Sequence, residues 1–271
     1  MIIDDIDFAA MYRTHIRLAS RQQKPAEDWD KRAEDMAKSC ADSKSPYVLT
    51  FTGHMDFDGV ETLLDVGCGP GTICLPLAHR LKRVYALDYS RGMLDALEKR
   101  AAAEALNNVQ TIQRSWDDDW SDVPQCDIAV ASRATMVEDL EDALRKISSK
   151  ARRAVYTTFT VDAHFINPQV AECLGRKAVG FPNFLYAVNL LFRMGYLPRV
   201  DYISSVVNKK PAAGFEAFMR SIAWSVGEVD EEAQARLKQY YETHVKGEQT
   251  AQPFVKTWAF VSWRTDNGNA D

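Results

Sequence analysis

The spacing of apolar and polar positions changes character twice along the chain. Between Asp7 and Leu18, the residues Phe8, Met11, Tyr12, His15 and Leu18 recur at three- and four-residue intervals, which predicts a helix with one apolar stripe. Pro25 opens a second helical segment that aligns Trp29, Ala33, Met36 and Ala37, and a third piece runs from Tyr47 to Met55 with a less regular pattern. At Glu61 the period shortens. Thr62-Leu63-Leu64-Asp65-Val66 is an almost continuously apolar run that ends in glycines, as expected of a parallel strand covered on both faces. Similar runs recur at Arg83–Asp88, Val109–Arg114, Asp127–Ser132 and Arg153–Thr160, separated by helical stretches such as Gly92–Ala103 and Glu138–Ser148. This alternation predicts a parallel sheet with right-handed crossovers.

After Val161 the rhythm loosens. A helical block from Asn167 to Met194 is interrupted around Gly180-Phe181-Pro182 and precedes a candidate strand at Val200–Val206. Helices follow at Phe215–Trp224 and Glu231–Val245, the latter with Ala233, Leu237, Tyr240, Tyr241 and His244 in near-helical register, and a strand-like run at Val255–Trp263 comes last. No internal repeat stands out.

The 271 residues, 46% hydrophobic and 26% charged, suit one large α/β domain and argue against disorder. A formal net charge of -5 provides no broad basic field, which counts against double-stranded nucleic acid as a partner. Five cysteines without a CxxC pair count against a disulfide framework or a zinc site and fit a reducing cytoplasm. Acidic residues at Asp4, Asp5 and Asp7 stand where a secretory signal needs basic ones. The greasiest stretch, Val179 to Phe192, contains Pro182, Asn183 and Asn189 and falls short of the ~20 residues of a membrane span. His15, His54, His79, His164 and His244 form no HxxxH or HxH pair, so no metal site is expected.

Chemistry concentrates in Leu64-Asp65-Val66-Gly67-Cys68-Gly69-Pro70-Gly71-Thr72. Alternate glycines let the backbone turn sharply against a ligand, and the helical run that follows offers unpaired N–H groups. Asp88, at the end of the second strand, stands where a carboxylate accepts both ribose hydroxyls of an adenosine. The loop is GxGxG rather than the GxGxxG of dinucleotide sites, and the Asp65 carboxylate would repel a pyrophosphate but suits an ammonium group. Cys68 fits the turn because its side chain is small.

On these residues the chain resembles the class I, Rossmann-like S-adenosylmethionine-dependent methyltransferases of small-molecule type, across about residues 60–160. The resemblance implies a seven-stranded, mostly parallel sheet in the order 3-2-1-4-5-7-6 with the last strand antiparallel, an N-terminal helical lid over 1–58, and a cofactor domain over 59–271 with a helical insertion at about 163–197. It implies that Asp65, Gly67, Cys68, Gly69, Gly71 and Thr72 cradle the methionine part of the cofactor and that Asp88 binds its ribose. Tyr89, Ser90 and Met93 then flank the adenosine, Asp117 meets the adenine amine and Trp116 offers a stacking face. Ser132-Arg133-Ala134 would line the methyl-transfer site, with Arg133 binding a carboxylate of the substrate or of the cofactor's methionine, or else pairing with Glu138 or Asp139. The Asn/Asp-Pro-Pro-aromatic motif of DNA and protein-amide methylation is missing, as is the Pro-Cys of RNA cytosine methylation.

Tyr12, His15, Trp29, Arg32 and Tyr186 are substrate-site candidates, Trp29 as a cofactor cover, and Phe192 stands beside Tyr186 as a wall of the pocket or of its core. His164, with Asp162 two residues earlier, is either a general base or a loop residue. The expected activity is methyl transfer from S-adenosylmethionine to a small-molecule acceptor, leaving S-adenosylhomocysteine. An NAD-dependent oxidoreductase on a related fold and a non-catalytic cofactor-binding scaffold are the alternatives.

Overall fold

The computed structural model describes residues 2–19, 24–162, 167–175, 180–207, 214–246 and 254–266. Seven strands form one sheet: β1 (Thr62–Val66), β2 (Arg83–Asp88), β3 (Val109–Gln113), β4 (Cys126–Ala131), β5 (Ala151–Thr160), β6 (Arg199–Val207) and β7 (Phe254–Arg264). Their spatial order is β3-β2-β1-β4-β5-β7-β6, and β7 runs antiparallel to both of its neighbours. The β-α alternation read from the sequence therefore produces the expected Rossmann-like sheet, whose parallel strands bring their C-terminal ends to one edge.

One 3-10 turn (Ile3–Asp5) and eleven α-helices occur among the described residues. Those before the sheet are α1 (Phe8–Leu18), α2 (Ala26–Asp30), α3 (Ala33–Ser39) and α4 (Pro46–Gly53); α5 (Cys74–Ala78), α6 (Arg91–Ala103) and α7 (Leu140–Lys150) connect the parallel strands. The remainder are α8 (Pro168–Cys173), α9 (Phe184–Arg193), α10 (Phe215–Val226) and α11 (Glu231–His244). Polar caps start several of them: the side chains of Asp7, Ser90 and Asp139 accept from the N–H groups of Ala10, Met93 and Asp142, which satisfies donors that a helix start leaves open.

The apolar stripe of α1 differs in phase from the sequence expectation. Phe8, Tyr12 and Ile16 are buried, whereas Met11 and Leu18 are exposed, because the four-residue step faces the core and the three-residue step does not. The segment after Pro25 breaks into α2 and α3 at Lys31-Arg32, yet Trp29, Ala33, Met36 and Ala37 still pack together, against Met93 and Ala96 of α6.

The sheet has a core on each face. On one side α1, α7 and α9 pack over Leu64, Ala129, Val155 and Val261. On the other, α4, α5 and α6 cover Leu63, Val84, Val130 and Phe260, and Phe51 of α4 is fully buried among them. A third cluster lies outside these layers, where Val170 and Leu174 of α8 meet Phe218 and Ile222 of α10 and Leu237 and Tyr241 of α11.

Candidate active site

A cleft of about 1010 Å³ opens at the C-terminal edge of the sheet. Its floor is the turn after β1. Gly67, Gly69 and Gly71 have φ of +64°, +53° and +86°, values that L side chains rarely adopt. Gly67 has a second constraint, since a Cβ there would stand 2.3 Å from the Ala134 Cβ. Gly69 borders open space on the cleft, while Gly71 packs back against Leu75 and Leu97 and does not reach its wall. The N–H groups of Gly67 and Cys68 both donate to the Leu87 carbonyl, at 2.7 and 3.1 Å, which pins the turn to the end of β2.

Two buried carboxylates flank this floor. Asp65 is 1% exposed and accepts from the Cys74 N–H at 3.2 Å, with no cationic side chain at ion-pair distance among the described residues. Burial, with a smaller push from Asp88, raises its pKa to about 7. Asp88 accepts from the Gly69 N–H at 2.8 Å through one oxygen and from the Ser90 N–H at 2.9 Å through the other. Burial raises its pKa too, against the pull of those N–H groups. Each oxygen keeps lone-pair capacity for a further donor, as a ribose hydroxyl requires. A buried carboxylate with no cation beside it among the described residues, next to a second one held open by backbone N–H groups, fits a ligand with an ammonium at one end and a nucleoside at the other.

The site joins a recognisable family once it is compared with known proteins. Residues 63–155 match the family model described as a methyltransferase domain. An uncharacterized protein of Haemophilus influenzae is 35% identical over 266 residues, covering 98% of this chain and 99% of its own. A Methanothermobacter thermautotrophicus protein named "Probable cobalt-precorrin-6B C(15)-methyltransferase (decarboxylating)" is 28% identical over 134 residues, 48% of this chain and 66% of that protein. A Bacillus halodurans protein, solved crystallographically and provisionally named a methyltransferase, shares the fold with a TM-score of 0.56 at 13% identity, over 80% of this chain and 98% of its own. The chain belongs to the class I S-adenosylmethionine-dependent methyltransferases.

Around the cleft of this methyltransferase, Asp65, Gly67, Cys68, Gly69, Thr72, Asp88, Tyr89, Met93, Trp116 and Arg133 all reach the wall. Ser90 stands behind it, fully buried, capping α6 and donating to Asp30. Asp117 is exposed and off the wall; its neighbour Trp116 lines the cleft, stacks on Trp120 at 5.2 Å and donates to the Ala134 carbonyl at 2.9 Å. Arg133 pairs with neither Glu138 nor Asp139, which are taken by Arg17 and Arg13.

The substrate candidates separate in the same way. Tyr12, Trp29 and Arg32 line the cleft, but the Tyr12 hydroxyl is spent on the Val137 carbonyl at 2.9 Å. His15 and Tyr186 do not reach the wall. The His15 Nε2–H donates to the Gly180 carbonyl at 2.7 Å, which leaves Nδ1 to accept from the Tyr186 hydroxyl at 2.9 Å in the neutral ring. Both are thereby committed to joining α1 to α9. Phe192 is exposed and away from the cleft. His164 lies outside the described residues, and Asp162 makes a 3.7 Å ion pair with the buried Lys256.

Other wall residues went unnoticed in the sequence. Trp224 of α10 meets Trp29 edge-on at 5.4 Å and carries the Lys24 ammonium and the Arg32 guanidinium at 3.8 and 4.2 Å from its ring centre. Behind the wall, Asp30 accepts from the Ser90 hydroxyl at 2.5 Å and the Gly92 N–H at 2.8 Å, fastening α2 to the start of α6. Phe159, Thr160, Pro182 and Trp258 add an apolar wall beyond Arg133. Only Asp30 left a sequence trace, an acid beside the candidate Trp29. Among the described residues there is no cluster able to hold a metal ion, and no helix is long and apolar enough to cross a membrane.

Proposed function

We propose that this protein transfers a methyl group from S-adenosylmethionine to a small-molecule acceptor by in-line displacement. The observation that carries this reading is Asp65, a buried carboxylate with no cationic side chain at ion-pair distance among the described residues, set beside a glycine turn and a second carboxylate at Asp88. When bound, the cofactor supplies a methyl group on a sulfonium, whose bond to carbon breaks with its electron pair retained by sulfur. The protein's task is to hold, align and shield.

In this reading Asp65 pairs with the cofactor's ammonium, which repays the cost of burying a carboxylate and shifts it to the ionised form. Gly69 lets the backbone come close, Asp88 accepts the ribose hydroxyls, and Met93, Tyr89 and Trp116 enclose the adenosine. The helices α1 to α3 serve as a lid, with Trp29 closing over the cofactor against Trp224. Water is excluded and the acceptor approaches from the side of β4 and β5, where Phe159, Pro182 and Trp258 provide an apolar surface. We place the activity in the cytoplasm, in keeping with five cysteines that form no disulfide.

The test is calorimetric titration with S-adenosylhomocysteine and with NADH, followed by a labelled-methyl screen against fractionated small metabolites. Binding of S-adenosylhomocysteine and label transfer to a low-mass fraction are expected. Tight binding of NADH alone contradicts the cofactor reading, and cofactor binding with no transfer to any fraction favours a scaffold.

A further inference from the structure

Arg133 stands at the end of β4 with φ of +59°, a left-handed conformation that costs a non-glycine residue on the order of 1 kcal/mol or more and persists only where the surroundings enforce it. Here they do. The Arg133 N–H donates to the Thr158 hydroxyl at 2.9 Å, and the Tyr47 hydroxyl lies 2.7 Å from that of Ser132 and 3.1 Å from that of Thr158. The guanidinium lies over the Tyr47 ring, 4.4 Å from its centre. Stacking of this kind orients the plane of the group and leaves its five edge N–H donors directed outward.

Those donors have no acceptor among the described residues, and no carboxylate lies within ion-pair distance. The nearest acids in sequence, Glu138 and Asp139, are held by Arg17 and Arg13. Thus a strained residue, braced by Thr158 and Tyr47, presents a planar cationic fork to the cleft. The guanidinium rests on Tyr47 of α4 and the backbone N–H bonds Thr158 of β5, and neither contact runs to the turn after β1. The wall next to it is Phe159, Pro182 and Trp258.

We infer that the methyl acceptor is a small carboxylic acid with an apolar or aromatic body, its carboxylate gripped by Arg133 and its body laid against Phe159 and Trp258. The inference rests on the methyltransferase reading above. The carboxylate is a handle: two parallel N–H···O bonds fix its plane and direct the rest of the molecule toward the cofactor. The acid charge also gives selectivity, because a neutral isostere leaves the fork unmatched.

The experiment titrates benzoate, indole-3-acetate and hexanoate, each against its primary amide, into the protein with and without saturating S-adenosylhomocysteine. At least one acid is expected to bind ten or more times tighter than its amide. Arg133→Gln should erase that ratio while leaving affinity for S-adenosylhomocysteine within twofold, and Arg133→Lys, which keeps the charge and loses the fork, should retain an intermediate ratio. If Arg133→Gln does not fold, the ratio in wild type and Arg133→Lys decides. Equal binding of acids and amides, or no acid binding to the S-adenosylhomocysteine complex, overturns the inference. So does a tenfold loss of S-adenosylhomocysteine affinity in Arg133→Gln with 5′-methylthioadenosine unaffected, which puts the arginine on the cofactor's own carboxylate. A protein that binds acids through Arg133 but not S-adenosylhomocysteine refutes the cofactor reading alone.

Discussion

The floor of the cleft is backbone, drawn from the contiguous stretch between Leu64 and Asp88, whereas its cover is side chains from helices at opposite ends of the chain. On the floor, the turn is set by φ values near +60° at Gly67 and Gly69 and by the short N–H bonds to Leu87. In the cover, Trp29 meets Trp224, Asp30 reaches Ser90 and Gly92, and Tyr12 reaches Val137. The floor admits few residue types, because its backbone is left-handed at Gly67 and Gly69 and a Cβ at Gly67 would meet Ala134. The cover is held by a few separate contacts between segments far apart in the chain.

The sharpest way to break this contrast is at Gly67. Gly67→Ala forces a Cβ to 2.3 Å from Ala134 in a left-handed backbone. A loss on the order of 2–4 kcal/mol in urea unfolding is expected, with S-adenosylhomocysteine binding abolished. Gly69→Ala is its control, since a Cβ there meets nothing within 4 Å. It should cost only about 1 kcal/mol of stability while still weakening the cofactor, because the methyl enters the cofactor's space.

The second effect is a pH dependence. Asp65 titrates near 7 in the folded, cofactor-free protein and near 4 when unfolded, so between those values the folded state holds the extra proton. Its contribution to stability is complete below pH 4 and is lost as pH rises toward 7, by an amount on the order of a few kcal/mol. Thermal unfolding from pH 4.5 to 7.5 should therefore show wild type losing stability relative to Asp65→Asn, and parallel curves would contradict the burial argument.

The cover is expected to respond more weakly. Asp30→Ala removes the acceptor for Ser90 and Gly92 at the start of α6 and should cost about 1–2 kcal/mol, with a several-fold loss in cofactor affinity. Trp224→Ala should change stability by less than about 1 kcal/mol, since among the described residues it removes one edge-on ring contact and two stacked cations. Its effect belongs in a faster cofactor off-rate by stopped flow. An unchanged off-rate would show that Trp29 and Trp224 do not gate the cleft.

The same contrast explains what the sequence disclosed. The turn and its two acids were legible because each depends on local spacing, a strand, a run of glycines, a helix and a second strand, whereas the sheet order followed only from the family resemblance that those residues carry. The α1 sequence admits Met11 and Leu18 on the inner stripe because three- and four-residue steps are equally helical, and only packing on α7 and α9 selects Phe8, Tyr12 and Ile16. His15 looked chemically available, yet both its nitrogens are used by Gly180 and Tyr186, which are distant in sequence. Trp224 left no signal at all, since nothing near it in the chain marks it as Trp29's partner. Arg133 was visible as a guanidinium past a strand, but its left-handed backbone and its seat on Tyr47 exist only in three dimensions.

The central claim is that Asp65, ionised, holds the ammonium of the cofactor. Calorimetric measurement of S-adenosylhomocysteine binding between pH 5 and pH 7, for wild type and Asp65→Asn, tests it directly. The account predicts wild-type affinity that rises with pH by up to about tenfold per unit as the buried carboxylate gives up its proton on binding, and an Asn variant that binds at least tenfold more weakly at pH 7 with no such rise. Equal affinities and identical pH profiles for the two proteins would contradict it.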